Sequence, residues 1–156
     1  MAFNGDSLRS PSCVDQCEVS PNRKREPLDP HAARSTIFVV DDNVDAADSL
    51  TDVLRLMGHS VKTFYEGASA AAAAATDHPD VAVMDLGMPG MDGFAAATLM
   101  QHSTPQTLLV ACSGWGGPQD RQRSKAAGFT HHLTKPSPMS ELNAILRARQ
   151  ITGLRC

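Results

Sequence analysis

Two rhythms of apolar residues alternate along most of this chain. Ile37-Phe38-Val39-Val40 is an unbroken apolar run, the pattern of a strand buried on both faces, and it stops at Asp41-Asp42-Asn43. Ala47, Leu50, Leu54 and Met57 then recur at spacings of three and four, which predicts an amphipathic helix that Gly58 ends. Ser60 to Phe64 reads as a second, less buried strand, and the alanine run from Gly67 to Thr76 as a helix. Val81-Ala82-Val83-Met84 is a third strand ending at Asp85, and a loop with Gly87, Pro89 and Gly90 leads to a helix from about Gly93 to Met100. Thr107 to Cys112 is the fourth strand and ends at Ser113. Pro118 suits the first turn of a helix that Gly128 closes. Phe129 to Thr134 is the fifth strand, and Ser137 and Pro138 start a last helix with Leu142, Ile145 and Leu146 on one face.

Strands alternating with helices in this way imply right-handed crossovers and an α/β fold, a parallel sheet covered on both faces. Residues 1–34 break the rhythm. Pro11, Pro21, Pro27 and Pro30 punctuate a polar stretch without period, so a disordered tail is expected there. The folded domain is expected over residues 35–151, with 152–156 as a C-terminal tail.

Composition narrows the picture. Of 156 residues 42% are apolar and only 4% aromatic, so the core is expected to be aliphatic and alanine-rich. A formal charge of −3 gives no reason to expect nucleic acid as a partner. No stretch approaches the ~18 apolar residues of a membrane span, and the polar N-terminus lacks a secretory apolar region. A cytoplasmic protein is therefore expected. Cys13 and Cys17 are expected to be free thiols, Arg23-Lys24-Arg25 a solvated run, and Cys112 a small buried hydrophobe.

The strand ends carry the chemistry. The first strand ends in Asp41 and Asp42, the third in Asp85 and the fourth in Ser113, and the fifth runs into Lys135-Pro136. In an open parallel sheet these carboxyl ends border the ligand crevice, so the set should converge although it is scattered in sequence. Two like charges at 4 Å cost roughly 4 kcal/mol at an effective dielectric near 20, so three carboxylates need positive charge nearby. Lys135 supplies one, and an all-oxygen donor set suits Mg²⁺. A carboxylate can also attack phosphorus and form an aspartyl-phosphate.

Val40-Asp41-Asp42-Asn43, the run Met84-Asp85-Leu86-Gly87-Met88-Pro89-Gly90-Met91-Asp92-Gly93, Cys112-Ser113-Gly114-Trp115 and Lys135-Pro136 together resemble the bacterial response-regulator receiver family, over about Thr36 to Arg149. The resemblance implies a doubly wound, flavodoxin-like sheet of order 2-1-3-4-5 with five helices, the order that the general rule for such folds gives for a chemotaxis receiver. It implies that Asp85 takes a phosphoryl group from a histidine kinase or a histidine phosphotransfer protein. Asp42, Asp85 and the Gly87 backbone carbonyl would bind Mg²⁺ directly, and Asp41 mainly through water. Ser113 would follow the phosphate, Lys135 pair with it, and the Lys135-Pro136 peptide be cis. The face made by the fourth helix, fifth strand and fifth helix would dock a downstream protein.

One position departs from the family pattern. Where the family's switch couples the Ser/Thr to an aromatic residue on the fifth strand, this chain has His132. An imidazole is smaller and titrates near neutral pH; equally, His131 and His132 read as partly exposed strand residues. Trp115 either shields the phosphate from water or caps its loop by packing. Asp41 and Asp42 also fit a helix N-cap, and for Asp92 that role is preferred. Two functional alternatives stand beside the phosphorelay switch: a phosphorylation-independent binding module, and a small phosphohydrolase. The latter would want a second acid where Gly87 stands.

Overall fold

The computed structural model describes residues 34–153. The expected tail, with Cys13, Cys17 and the basic run, lies outside the described residues, as do residues 154–156. The elements alternate as β1 (Thr36–Val40), α1 (Val44–Leu56), β2 (Ser60–Phe64), α2 (Gly67–Asp77), β3 (Val81–Asp85), α3 (Gly93–Ser103), β4 (Leu108–Ser113), α4 (Pro118–Ala126), β5 (His131–Thr134) and α5 (Met139–Gly153). The five strands form one parallel sheet in the order β2-β1-β3-β4-β5.

Strand alternation divides the core in two. Ile37 and Val39 of β1 face one way, with Val81, Val83 and Val110, under Ala47 and Leu54 of α1 and Leu142, Ile145 and Leu146 of α5. Phe38 and Val40 face the other way, with Ala82, Met84 and Leu109, under the alanines of α2 and α3 and Met100. Both faces are covered, which is why each central strand reads as a continuous apolar run rather than an alternation. Phe38 is fully buried and packs on Phe64 with ring centroids 4.7 Å apart.

Several boundaries differ from the sequence expectation. β5 begins at His131 rather than Phe129, because the Phe129 amide closes the end of α4 on the Ser124 carbonyl and the ring is buried beside Phe94. β4 is shifted by one residue, and α3 runs a turn beyond Met100 to Ser103. α5 includes Thr152 and Gly153, since no helix breaker precedes that glycine. The cap of α1 is Asn43, whose side chain accepts from the Ala46 amide, and not Asp41 or Asp42. Asp92 does cap α3, accepting from the Ala95 amide at 2.8 Å.

Candidate functional site

β1 and β3 are neighbours in the sheet while their crossovers leave in opposite directions, and this switch point sets where the acids gather. Asp41 follows β1 directly, Asp42 is next, and Asp85 is the last residue of β3. Each offers a carboxylate oxygen within 4.8 Å of the other two. They are graded in burial: Asp41 is buried, Asp85 intermediate and Asp42 exposed.

Lys135 enters from the end of β5, where its amide extends the ladder to the Ser113 carbonyl at 2.7 Å. The Lys135-Pro136 peptide is cis. The Lys135 ammonium donates to Asp41 Oδ2 at 2.7 Å and lies 3.4 Å from Asp85 Oδ1. Burial pulls its pKa down, but the hydrogen bond it donates to Asp41 and the charges of Asp85 and Asp41 outweigh this, and the net direction is upward. The lysine stays a cation, and the other oxygen of Asp41 is held by the Asn43 amide at 2.9 Å. One lysine against three carboxylates leaves a net negative pocket of hard oxygens, a donor set that fits Mg²⁺.

Ser113 ends β4 and is buried. Its hydroxyl oxygen accepts from the Trp115 amide at 3.0 Å, and among the described residues the hydroxyl hydrogen has no acceptor. Gly87 lies beside the site; a Cβ built there would stand 3.8 Å from Asp85 Oδ2. Cys112 is a buried free thiol next to Ser113, as expected. Burial pushes it up to about 12, against an opposite pull from Lys135.

His132 does more than sit on an exposed strand. Its Nε2 lies 3.0 Å from the Trp115 carbonyl and its Nδ1 2.8 Å from the Ser124 hydroxyl of α4. A carbonyl only accepts, so Nε2 carries a hydrogen, and in the neutral ring Nδ1 is an acceptor that shares the one Ser124 hydroxyl hydrogen with the Asp120 carbonyl, 2.8 Å from the same oxygen. The loop after β4 is thus tied through His132 to α4. The Trp115 ring itself is 76% exposed. Sequence reasoning singled out His132 but not Ser124, a buried serine in a helix without apolar period.

The model of the response regulator receiver domain matches residues 37–147. The chain belongs to this family. Among its relatives, the transcriptional regulatory protein PrrA of Mycobacterium tuberculosis is 32% identical over 130 residues, covering 81% of this chain and 56% of that protein. The response regulator MprA of Mycobacterium avium is 30% identical, covering 72% and 49% respectively. The chain thus spans about half the length of these relatives. Among solved structures, the chemotaxis protein CheY4 of Vibrio cholerae is 27% identical, with a TM-score of 0.70 over 74% of this chain and 98% of that one. The receiver domain of the sensor histidine kinase PA1611 of Pseudomonas aeruginosa is 26% identical, with a TM-score of 0.69 over 76% and 98%. That structure has a magnesium ion coordinated in its active site cleft. Receiver domains are two-component signalling modules that work with histidine kinases and downstream effectors and bind Mg²⁺ at an acidic site, rather than enzymes in the ordinary sense. No helix among the described residues is long and apolar enough to cross a membrane.

Proposed function

We propose that this chain is a phosphorelay switch in which Asp85 accepts a phosphoryl group from the phosphohistidine of a sensor kinase or phosphotransfer protein. The observation that carries this reading is the meeting of Asp41, Asp42 and Asp85 within 4.8 Å, with Lys135 against two of them. In the transfer the Asp85 oxygen–phosphorus bond forms as the phosphorus–nitrogen bond of the donor breaks. Asp42, Asp85 and the Gly87 carbonyl would hold Mg²⁺ directly and Asp41 through water; when bound, the ion neutralises phosphoryl oxygens. Lys135 supplies the protein's own positive charge to the same oxygens. The uncommitted hydrogen of Ser113 donates to the new phosphate.

Phosphorylation adds a charge of about −1.5 to −2 beside Ser113 and Lys135. Movement of Ser113 toward it disturbs the Trp115 amide that the serine now accepts. Trp115 is tied through its carbonyl to His132, and His132 to Ser124. His132 therefore takes the place of the family's aromatic switch residue, reporting to α4 through hydrogen bonds rather than through a ring moving in and out. The readout is a protein contact on the face of α4, β5 and α5, where Arg121, Gln122, Lys125 and His131 are exposed. The relatives PrrA, TcrX and TcrA are each named a transcriptional regulatory protein, so output at nucleic acid in a longer polypeptide also fits the family. We place the switch in the cytoplasm, where its kinases present phosphohistidine.

The test is incubation with acetyl phosphate and Mg²⁺, read by intact mass. A gain of one phosphoryl group that disappears in Asp85→Asn supports the reading. No gain, or a gain that survives the substitution, refutes it.

A further inference from the structure

Beside the phosphoacceptor lies an open cavity of about 230 Å³ that the switch itself does not explain. Its wall includes Gly87 and Ser113, which border the site, and Phe94, Trp115, Asp120 and Arg123, which lead away from it toward α4. The volume falls below the roughly 300–1,000 Å³ of pockets for drug-sized ligands, so it suits one small ring and not a nucleotide. Its chemistry is specific. Trp115 is exposed. Arg123 is laid over the Phe94 ring, 4.6 Å from its centroid, which fixes the opposite wall. Asp120, one turn before Arg123, has no ion-pair partner among the described residues.

We propose that this cavity is a leaving-group subsite selective for a phosphorylated imidazole, with Trp115 stacking on the ring and Asp120 accepting from the ring nitrogen distal to phosphorus. The inference rests on Asp85 being the phosphoacceptor. A phosphoryl group between Asp85 and Ser113 places whatever it is leaving next to Gly87 and Ser113, which the cavity wall contains. An imidazole is flat, apolar on its faces and carries one N–H, matching an aromatic wall with a lone carboxylate. The electron accounting favours the same arrangement. As the bond from Asp85 to phosphorus forms, the electron pair of the phosphorus–nitrogen bond returns to the ring. If the distal nitrogen holds its proton, the ring leaves as neutral imidazole and no proton has to be supplied in the step. A carboxylate facing that N–H keeps the proton in place. An acyl phosphate has neither ring nor N–H and uses none of this.

The experiment compares two small phosphodonors, monophosphoimidazole and acetyl phosphate, with Mg²⁺ and intact-mass readout, on the wild-type chain, Trp115→Ala, Trp115→Phe and Asp120→Asn. The quantity read is the ratio of the two phosphorylation rate constants on the same protein, so a loss of folded fraction cancels. The probe carries the ring without a protein, so partner docking does not enter. The ratio is expected to fall about fivefold in Trp115→Ala, the size of a lost aromatic contact, and to recover in Trp115→Phe. A comparable fall is expected in Asp120→Asn. An unchanged ratio in both Trp115→Ala and Asp120→Asn overturns the subsite while leaving Asp85 as phosphoacceptor. Failure of both donors on the wild-type chain overturns the two readings together.

Discussion

Gly93 opens α3 with its Cα pressed against the end of β3. A Cβ built there would lie 2.3 Å from the Asp85 carbonyl oxygen, 2.9 Å from the Leu86 Cα and 3.1 Å from the Asp85 carbonyl carbon. Ordinary contact begins near 3.4 Å, so Gly93→Ala overlaps its nearest neighbour by about 1 Å. The obstacle is backbone, at the end of the strand that carries Asp85, and has no rotamer by which to retreat. Overpacking of this kind costs ~1–3 kcal/mol, and a backbone clash belongs at the upper end. Alanine gains up to about 1 kcal/mol over glycine in a helix, which offsets part of it. The net expectation is a loss of about 2 kcal/mol, roughly a 30-fold fall in the folded-to-unfolded ratio. In urea unfolding, with a slope of about 1–3 kcal/mol/M, the midpoint should drop by about 1 M at unchanged slope. Gly114→Ala is the control, since a Cβ there meets nothing within 4 Å, and it should stay within about 0.5 kcal/mol of wild type. Without urea, the folded Gly93→Ala protein should also take phosphate at Asp85 more slowly, because relief of the clash moves the Asp85 backbone. Equal midpoints for the two glycine variants would refute the reasoning.

Other expectations follow from single groups. Burial raises the Cys112 thiol to about 12, so its peptide should resist iodoacetamide at pH 8 in the native protein and react after unfolding, as read by mass spectrometry. Burial lowers the His59 pKa, and its Nδ1 is buried without a hydrogen-bond partner among the described residues, so the unfolded chain binds that proton more readily. Its contribution is therefore intact above about pH 6.5 and is lost as the pH falls toward the lowered folded value; His59→Leu should flatten this part of a urea-unfolding pH series, and an unchanged slope would contradict it. The His132–Ser124 hydrogen bond should appear as a coupling of about 1 kcal/mol in a double-mutant cycle of His132→Ala and Ser124→Ala, and nitrogen NMR of the neutral ring should show the proton on Nε2.

The parts of this molecule that depend on repeated burial are legible in the sequence. Ile37 to Val40 and Val81 to Met84 lie between two helical layers, so every side chain in them must be apolar, and a run of that kind has few other readings. The acids and Lys135 were legible because each stands where such a run stops, and the carboxyl ends of parallel strands share one edge. What the sequence hid depends on one contact rather than a pattern. Ser124 is the only buried residue of α4, and a serine among Gln, Arg and Lys gives no sign that it faces His132. Phe129 looks like strand by propensity, yet its amide is used to end α4. The α1 cap fell one residue later than the paired acids because Asp41 is already engaged by Lys135 and by the Asn43 amide.

Under the proposed function, that engagement bears on which oxygen of Asp85 would react. Lys135 divides itself unequally, 2.7 Å from Asp41 and 3.4 Å from Asp85, and on Asp85 it faces Oδ1. Oδ2 is the oxygen nearest Gly87, where a Cβ would stand 3.8 Å away. A long side chain at position 87 would extend from that point over the rim shared with Ser113 and the neighbouring cavity. The glycine keeps this approach open, and the same absence denies the chain a second acid with which to hydrolyse an external phosphate ester. Under the proposed function, the residue that weakens the phosphohydrolase reading also favours the switch, because the phosphorus of a donor can approach Oδ2 while a glycine at position 87 offers no carboxylate to activate water against the product. Gly87→Glu should accordingly slow phosphorylation by monophosphoimidazole by obstructing that approach, and faster phosphorylation in this variant would show that the rim is not the donor's route.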